Sequence, residues 1–134
     1  MKHILTILAV DDVARSREFY RAAFDFKQTV DVPVYAEFEI EEGRRIGLYQ
    51  RESFGVNTGI IPNEVGAGEL SGAEIYFHCE NPDAQIEKLL KAGATLLSPW
   101  QLRPWGDFAA YFRDPDGHTI VIAGGNRNNP IVTR

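Results

Sequence analysis

An α+β fold made of two βαβββ modules is what this 134-residue chain predicts, on three observations. The stretch ILTILAVDDVARSREFYRAAFDF near the N-terminus reads as a strand, an acidic break and an amphipathic helix. AEIYFHCENPDAQIEKLLKAGATL near the middle reads the same way. Each unit is followed by three strand-like runs, and in each half a glycine-bearing turn joins the last two.

The elements follow in order. In the first half Asp12 is a good helix N-cap, and Val13, Phe19, Tyr20, Ala23 and Phe24 form the apolar stripe. Strand-like runs come next at Phe26–Val32, Val34–Ile40 and Arg45–Gln50, with EEG turning between the last two. In the second half Asn81 caps a helix with Pro82 at its first position. Ile86, Leu89 and Leu90 form its stripe, and Gly93 stops it. Strand-like runs at Ala94–Leu97, Phe108–Arg113 and Thr119–Ala123 complete the module, with DPDG turning at Asp114–Gly117. The second module carries a short insertion, which the loop SPWQLRPWGD holds. The chain reads as one domain over 1–134: module 1 at about 1–52, a Gly-rich linker at 53–72, module 2 at about 73–126 and a tail at 127–134.

Composition narrows the function classes. Hydrophobic residues at 44% and charged residues at 25% exclude a disordered chain. A formal charge of −5 with no basic run argues against a nucleic-acid partner. The single cysteine, Cys79, makes no internal disulfide and builds no cysteine zinc site. It reads as a small buried hydrophobe. No apolar run reaches the ~20 residues that span a bilayer, and Asp11 and Asp12 close the first one too early for a leader. The expectation is a cytoplasmic protein with no membrane partner.

The motifs ILAVDDVARSREFY at Ile7–Tyr20 and FRDPDGHTIVI at Phe112–Ile122, at opposite ends of a duplicated chain, resemble those of the vicinal oxygen chelate superfamily. That group includes glyoxalase I, extradiol dioxygenases, fosfomycin-resistance enzymes and bleomycin-resistance proteins. The resemblance implies strands that curl around a cavity, and a homodimer. It also implies four ligand positions, on the first and last strands of each module, where the enzymes hold a divalent metal through His and Glu. Here those positions are Leu5, Gly47, Glu74 and Val121, which offer one donor side chain between them. No cofactor and no catalytic residue is therefore expected. His3 shares a strand face with Leu5 and could serve only if the register slips. His78 shares a face with Glu74 but stands about 13 Å along the strand from it. His118 reads as a solvent-exposed turn residue.

Strand alternation assigns the faces. Glu74, Tyr76 and His78 turn to the implied cavity, as do Thr119, Val121 and Ala123, and Leu5, Ile7, Tyr35, Glu37, Gly47, Tyr49, Ala109 and Tyr111 by module equivalence. Four of the five tyrosines thus share the concave side. Strand propensity alone favours aromatics but does not choose their face. Trp105 in PWGD resembles the loop tryptophan with which metal-free drug-binding members stack planar ligands, and Trp100 reads as a lid or interface anchor. Glu37 and Glu39, in EFEIEE, read as solvated. The expected site is Tyr35, Tyr49, Glu74, Tyr76, His78, Trp105 and Tyr111. The expected activity is capture of an aromatic or cationic, antibiotic-like small molecule without chemistry. Two other readings stay open: a metal-dependent lyase or dioxygenase whose ligands lie in another register, and a closed-cavity interaction protein.

Overall fold

The computed structural model describes residues 1–125, so the expected tail at 127–134 lies outside the described residues. The chain forms two compact units, Met1–Val65 and the segment from Gly66 onward. Each holds a four-stranded sheet, as the α+β reading of two βαβββ modules requires, and the described residues form three helices, one more than two such modules supply.

In the first unit the order is β1 (Leu5–Val10), α1 (Val13–Ala23), β2 (Lys27–Val32), β3 (Tyr35–Glu41), β4 (Arg44–Gln50) and α2 (Arg51–Thr58). The sheet runs β1-β4-β3-β2, with β1 parallel to β4 and the other pairs antiparallel. The Asp12 carboxylate accepts the Arg15 N–H at 3.1 Å, a cap that contributes about 1 kcal/mol. All five residues of the expected stripe are buried. They pack with Ala36, Phe38, Ile46 and Leu48, whose cross-strand pairing (Ala36 with Leu48, Phe38 with Ile46) puts them on one face. The alternate residues, Tyr35, Glu37, Gly47 and Tyr49, pair with each other on the opposite face.

Helix α2 departs from the sequence reading, which places residues from Ser53 onward in a Gly-rich linker and gives Arg51 and Glu52 no element. Gln50 caps it through its side-chain oxygen, which accepts the Ser53 N–H and hydroxyl, each at 2.9 Å. Its sequence, with a glycine in the middle, carries little helical signal. The structure explains that glycine: a Cβ on Gly55 would lie 2.7 Å from the Ile61 Cα. Arg51, buried at the helix start, bonds to Asp11 at 2.7 Å and to the Asn63 carbonyl at 2.9 Å. The Arg51 bond holds the Asp11 carboxyl below its usual pKa, against the opposing effect of burial.

The second unit contains β5 (Glu74–His78), α3 (Pro82–Ala92), β6 (Thr95–Leu102), β7 (Asp107–Arg113) and β8 (Thr119–Gly125). Its sheet runs β5-β8-β7-β6, with β5 parallel to β8. Asn81 caps α3, Pro82 opens it, and Gly93 ends it in the left-handed conformation. Leu89 is fully buried, but Leu90, expected in the stripe, is 46% exposed. β8 is an inner strand and is buried from Thr119 through Gly124.

The expected insertion loop is mostly strand. Ser98–Leu102 extends β6, and register shifts at Leu96/Ser98 and Ser98/Gln101 absorb its mismatch with β7. The actual turn is Arg103–Gly106. Gly106 donates its N–H to the Arg103 carbonyl at 3.0 Å, and Arg103 donates to the Asp107 carbonyl at 2.8 Å. The turn Asp114–Gly117 repeats the arrangement, with Asp114 donating to the His118 carbonyl at 2.9 Å. In both, proline presets the second position and glycine takes positive φ, 98° at Gly106 and 89° at Gly117. His118, expected in solvent, is 9% exposed, because its ring meets the Ser71 hydroxyl at 3.0 Å and its N–H bonds to Asp114.

Candidate functional site

In the second unit, one sheet face is built on small side chains. Ala109, Val121 and Ala123 form a fully buried cluster, and Tyr76 and Tyr111 pack against it. The register explains the grouping: Tyr76 pairs with Val121, Val121 with Tyr111, and Ala123 with Ala109. His78, paired with Ala123, and Glu74, paired with Thr119, fall on the same face by alternation, and both are exposed.

Trp105 reaches this face from the β6–β7 turn. Its half-buried ring donates from Nε1 to the Tyr76 hydroxyl at 2.8 Å, and that hydroxyl donates to Asp107 Oδ2 at 2.5 Å. Asp107 is 1% exposed, and its Oδ1 lies 3.9 Å from His78 Nε2. Burial, reinforced by the bond to Asp107, raises the Tyr76 pKa, so the phenol remains a donor at neutral pH. Arg103 lies over Tyr111, its guanidinium carbon 4.9 Å from the ring centre. The same group donates to the Ala109 carbonyl at 2.8 Å, the Pro99 carbonyl at 2.9 Å and the Ser98 hydroxyl at 3.0 Å, which ties the turn to β7. Trp100 takes no part in this face. It stacks on Phe108 with centroids 5.9 Å apart, and its ring tip approaches Gly124, which pairs with Phe108.

The first unit brings Tyr35 and Tyr49 together edge to face, with centroids 5.3 Å apart; Phe54 of α2 stands edge-on to Tyr49 at 6.4 Å. Glu37, expected in solvent, is 6% exposed. Its carboxylate accepts the Tyr35 hydroxyl at 2.7 Å and the Thr29 hydroxyl at 2.8 Å, and Arg45 stands 3.4 Å away. Those three partners replace the water it loses. Burial first, then the bond to Glu37, pushes the Tyr35 phenol well above its ordinary pKa.

Of the seven residues singled out from the sequence, Tyr35 and Tyr49 meet in the first unit. Tyr76, Trp105 and Tyr111 gather on one face of the second, with His78 beside Asp107 and Glu74 at the strand start. Asp107 and Arg103 were missed. Alternation from Tyr111 and Ala109 reaches Asp107 in one more step, but the strand-like run in the sequence begins only at Phe108.

A family model, described as a glyoxalase-like domain, matches residues 3–125. The chain belongs to that family. It is accordingly a member of the vicinal oxygen chelate superfamily. The uncharacterized proteins Mb0911c of Mycobacterium bovis and Rv0887c of Mycobacterium tuberculosis are each 30% identical over 118 residues. The alignments cover 83% of this chain, and 75% and 67% of theirs. Among solved structures, a glyoxalase-related enzyme from Fulvimarina pelagi aligns with a TM-score of 0.82 at 20% identity, covering all of this chain and 98% of its own. A glyoxalase/bleomycin resistance protein/dioxygenase from Nocardioides aligns at 0.80 and 20% identity, covering all of this chain and 89% of its own. At those identities the likeness is one of fold.

The family raises the matter of a metal. Of the four positions, Val121 is fully buried beneath Tyr76 and Tyr111, and Leu5 carries no donor. The place of a side chain at Gly47 is filled: a Cβ there would lie 2.3 Å from the Tyr35 hydroxyl oxygen and 2.8 Å from its ring. Glu74 is the one donor. Among the described residues, no three His, Cys, Asp or Glu side chains converge as a metal site would need. The residues present do not fit the superfamily's metal.

Proposed function

We propose that this protein captures a small planar aromatic ligand, preferentially a cationic one, by stacking and charge pairing, in the manner of the bleomycin-resistance members and without a chemical step. The observation that carries the reading is the second-unit face: a floor of Ala109, Val121 and Ala123 between Tyr76 and Tyr111, with Trp105 bonded to Tyr76. Aromatic rings gathered on one face, with a few polar groups among them, suit a flat molecule stacked on the rings. Glu74 and Asp107 outnumber the one guanidinium, Arg103, that stands over Tyr111, and this negative balance suits a cation. The filled Gly47 position and the buried Val121 support a metal-free protein, since the chemistry of the superfamily's enzymes needs a bound ion to polarise substrate oxygens.

The test is titration of proflavine, a planar cation, and acridine, its neutral counterpart at pH 8, into the parent and two variants. Trp105→Ala should weaken both ligands by about 2-fold to 30-fold, the range of a lost stacking contact of about 0.5–2 kcal/mol. Glu74→Gln should weaken proflavine more than acridine. Binding that is equal in parent and both variants would place the ligand elsewhere.

A further inference from the structure

We propose that Asp107 is a positioning residue for Trp105, acting through Tyr76, so that the indole stands as a fixed wall with its N–H already used inside the protein. The chemistry of the chain fixes its direction. An indole N–H only donates, so at 2.8 Å the Tyr76 oxygen must accept from it. The phenol then has one proton left to give, and a carboxylate oxygen stands 2.5 Å away. Three groups, Trp105, Tyr76 and Asp107, are thereby ordered in one sequence, ending on a charge that is 1% exposed. Ionised, Asp107 offers only acceptors, so it holds the phenol in the one orientation that leaves a lone pair for the indole.

The backbone supports the same role. Trp105 lies at the third position of a tight turn whose ends are closed by the Gly106-to-Arg103 and Arg103-to-Asp107 bonds. Asp107 therefore both closes the turn through its backbone and holds, through Tyr76, the side chain that the turn displays. Arg103, bonded to the Ala109 and Pro99 carbonyls, ties the turn to β7 on one side and to β6 on the other. A surface tryptophan on such a turn would otherwise sample several rotamers and lose that freedom on binding.

The consequence bears on ligand class, and that part rests on the reading under Proposed function. With its N–H committed, Trp105 presents ring surface to a visitor and no hydrogen-bond donor. It selects for flatness and not for an acceptor atom facing the indole. Ligands that differ only by an acceptor at that edge should bind alike.

The experiment uses the full chain carrying Trp100→Phe, so that Trp105 is the sole tryptophan. Its fluorescence is quenched with acrylamide in the parent, in Tyr76→Phe and in Asp107→Asn, each first checked for native circular dichroism. Tyr76→Phe keeps the packing but removes both bonds. The quenching constant should rise by about twofold or more, and fluorescence anisotropy should fall. Asp107→Asn, whose amide can donate to the phenol oxygen as well as accept from it, no longer fixes the phenol's orientation and should raise the constant by a smaller amount. Asp107→Leu, which cannot accept, should behave like Tyr76→Phe. Should Asp107→Leu fail to fold, a rise in Asp107→Asn decides. An unchanged quenching constant in Tyr76→Phe, or in every Asp107 variant that folds, overturns the proposal. Proflavine titration of the same proteins separates the two readings. An anchor effect on quenching with no proflavine bound to the parent supports the positioning role and removes the ligand reading. Proflavine bound equally by parent and Tyr76→Phe, with quenching unchanged, does the reverse.

Discussion

Adding a single methyl group at Gly47 tests whether Tyr35 fills the place where the superfamily's enzymes carry a ligand. In an ordinary strand, Gly→Ala is favourable by about 0.5–1 kcal/mol, since glycine loses more backbone freedom on folding. Here the new Cβ would lie 2.3 Å from the Tyr35 hydroxyl oxygen and 2.8 Å from two ring carbons, well inside contact distance. The ring must swing away, and doing so breaks its 2.7 Å bond to the buried Glu37 carboxylate. A hydrogen bond to a charged group is worth about 1.5–3 kcal/mol. Glu37 keeps Thr29 at 2.8 Å and Arg45 at 3.4 Å, which holds the loss toward the lower end. The two effects oppose, and the expected result is a net destabilisation of about 1 kcal/mol. The assay is urea unfolding of the parent, Gly47→Ala, Tyr35→Ala and the double variant. With Tyr35 removed, Gly47→Ala should become neutral or stabilising, so the cycle returns a coupling of about 1–2 kcal/mol. The reasoning fails if Gly47→Ala stabilises the parent, or if it costs the same with and without Tyr35.

Three further outcomes are expected. Tyr35 and Tyr76 both have raised pKa values in the folded chain, so above pH 10 the unfolded chain releases phenolic protons that the folded chain keeps. Stability from these two groups is then fully present below pH 10 and falls as pH rises beyond it; urea midpoints across that range, with absorbance at about 295 nm following ionisation, check the sign, and a rise in stability would contradict it. Elemental analysis of protein purified without chelator should find no stoichiometric zinc, nickel, manganese or iron, because Leu5, Gly47 and Val121 supply no donor; one tightly held ion per chain would restore the lyase or dioxygenase reading. Sedimentation equilibrium should give a homodimer, since Leu102 and Phe108 stand 62% and 42% exposed as cross-strand partners at the sheet edge; a 15.0 kDa species at micromolar concentration would refute it.

Much of the architecture was legible because it rests on local physics. Asp12, Asn81 and Pro82 mark helix starts through the orphan N–H groups they satisfy or lack, and Gly93 marks a stop through its positive φ. Strand alternation placed Tyr35 with Tyr49, and Tyr76 with Tyr111, because side chains on a pleat change face at every residue. What stayed hidden depended on distant partners. Gly55 looks like a helix breaker until Ile61 is seen against it. Glu37 looks solvated in EFEIEE, since nothing local shows that Thr29, Tyr35 and Arg45 converge on its carboxylate. Ser98–Leu102 looks like loop because two register shifts carry a proline and a tryptophan through an edge strand.

The amino-acid sequence by itself determined the duplicated module, the positions of the caps and turns, and the loss of donors at three of the superfamily's four ligand positions. The first two are properties of residue type and spacing, and the third follows from them once the resemblance to the superfamily names the positions. Only the tertiary structure decided how the remaining polar groups are used: Tyr35 lies over Gly47, and Trp105, Tyr76 and Asp107 form one donor chain. The last of these joins residues 29 and 31 positions apart, whose meeting depends on which strands pair and in what register. Hydrogen bonds of that kind are set by distances of a few tenths of an ångström between side chains, which no periodicity in the chain encodes.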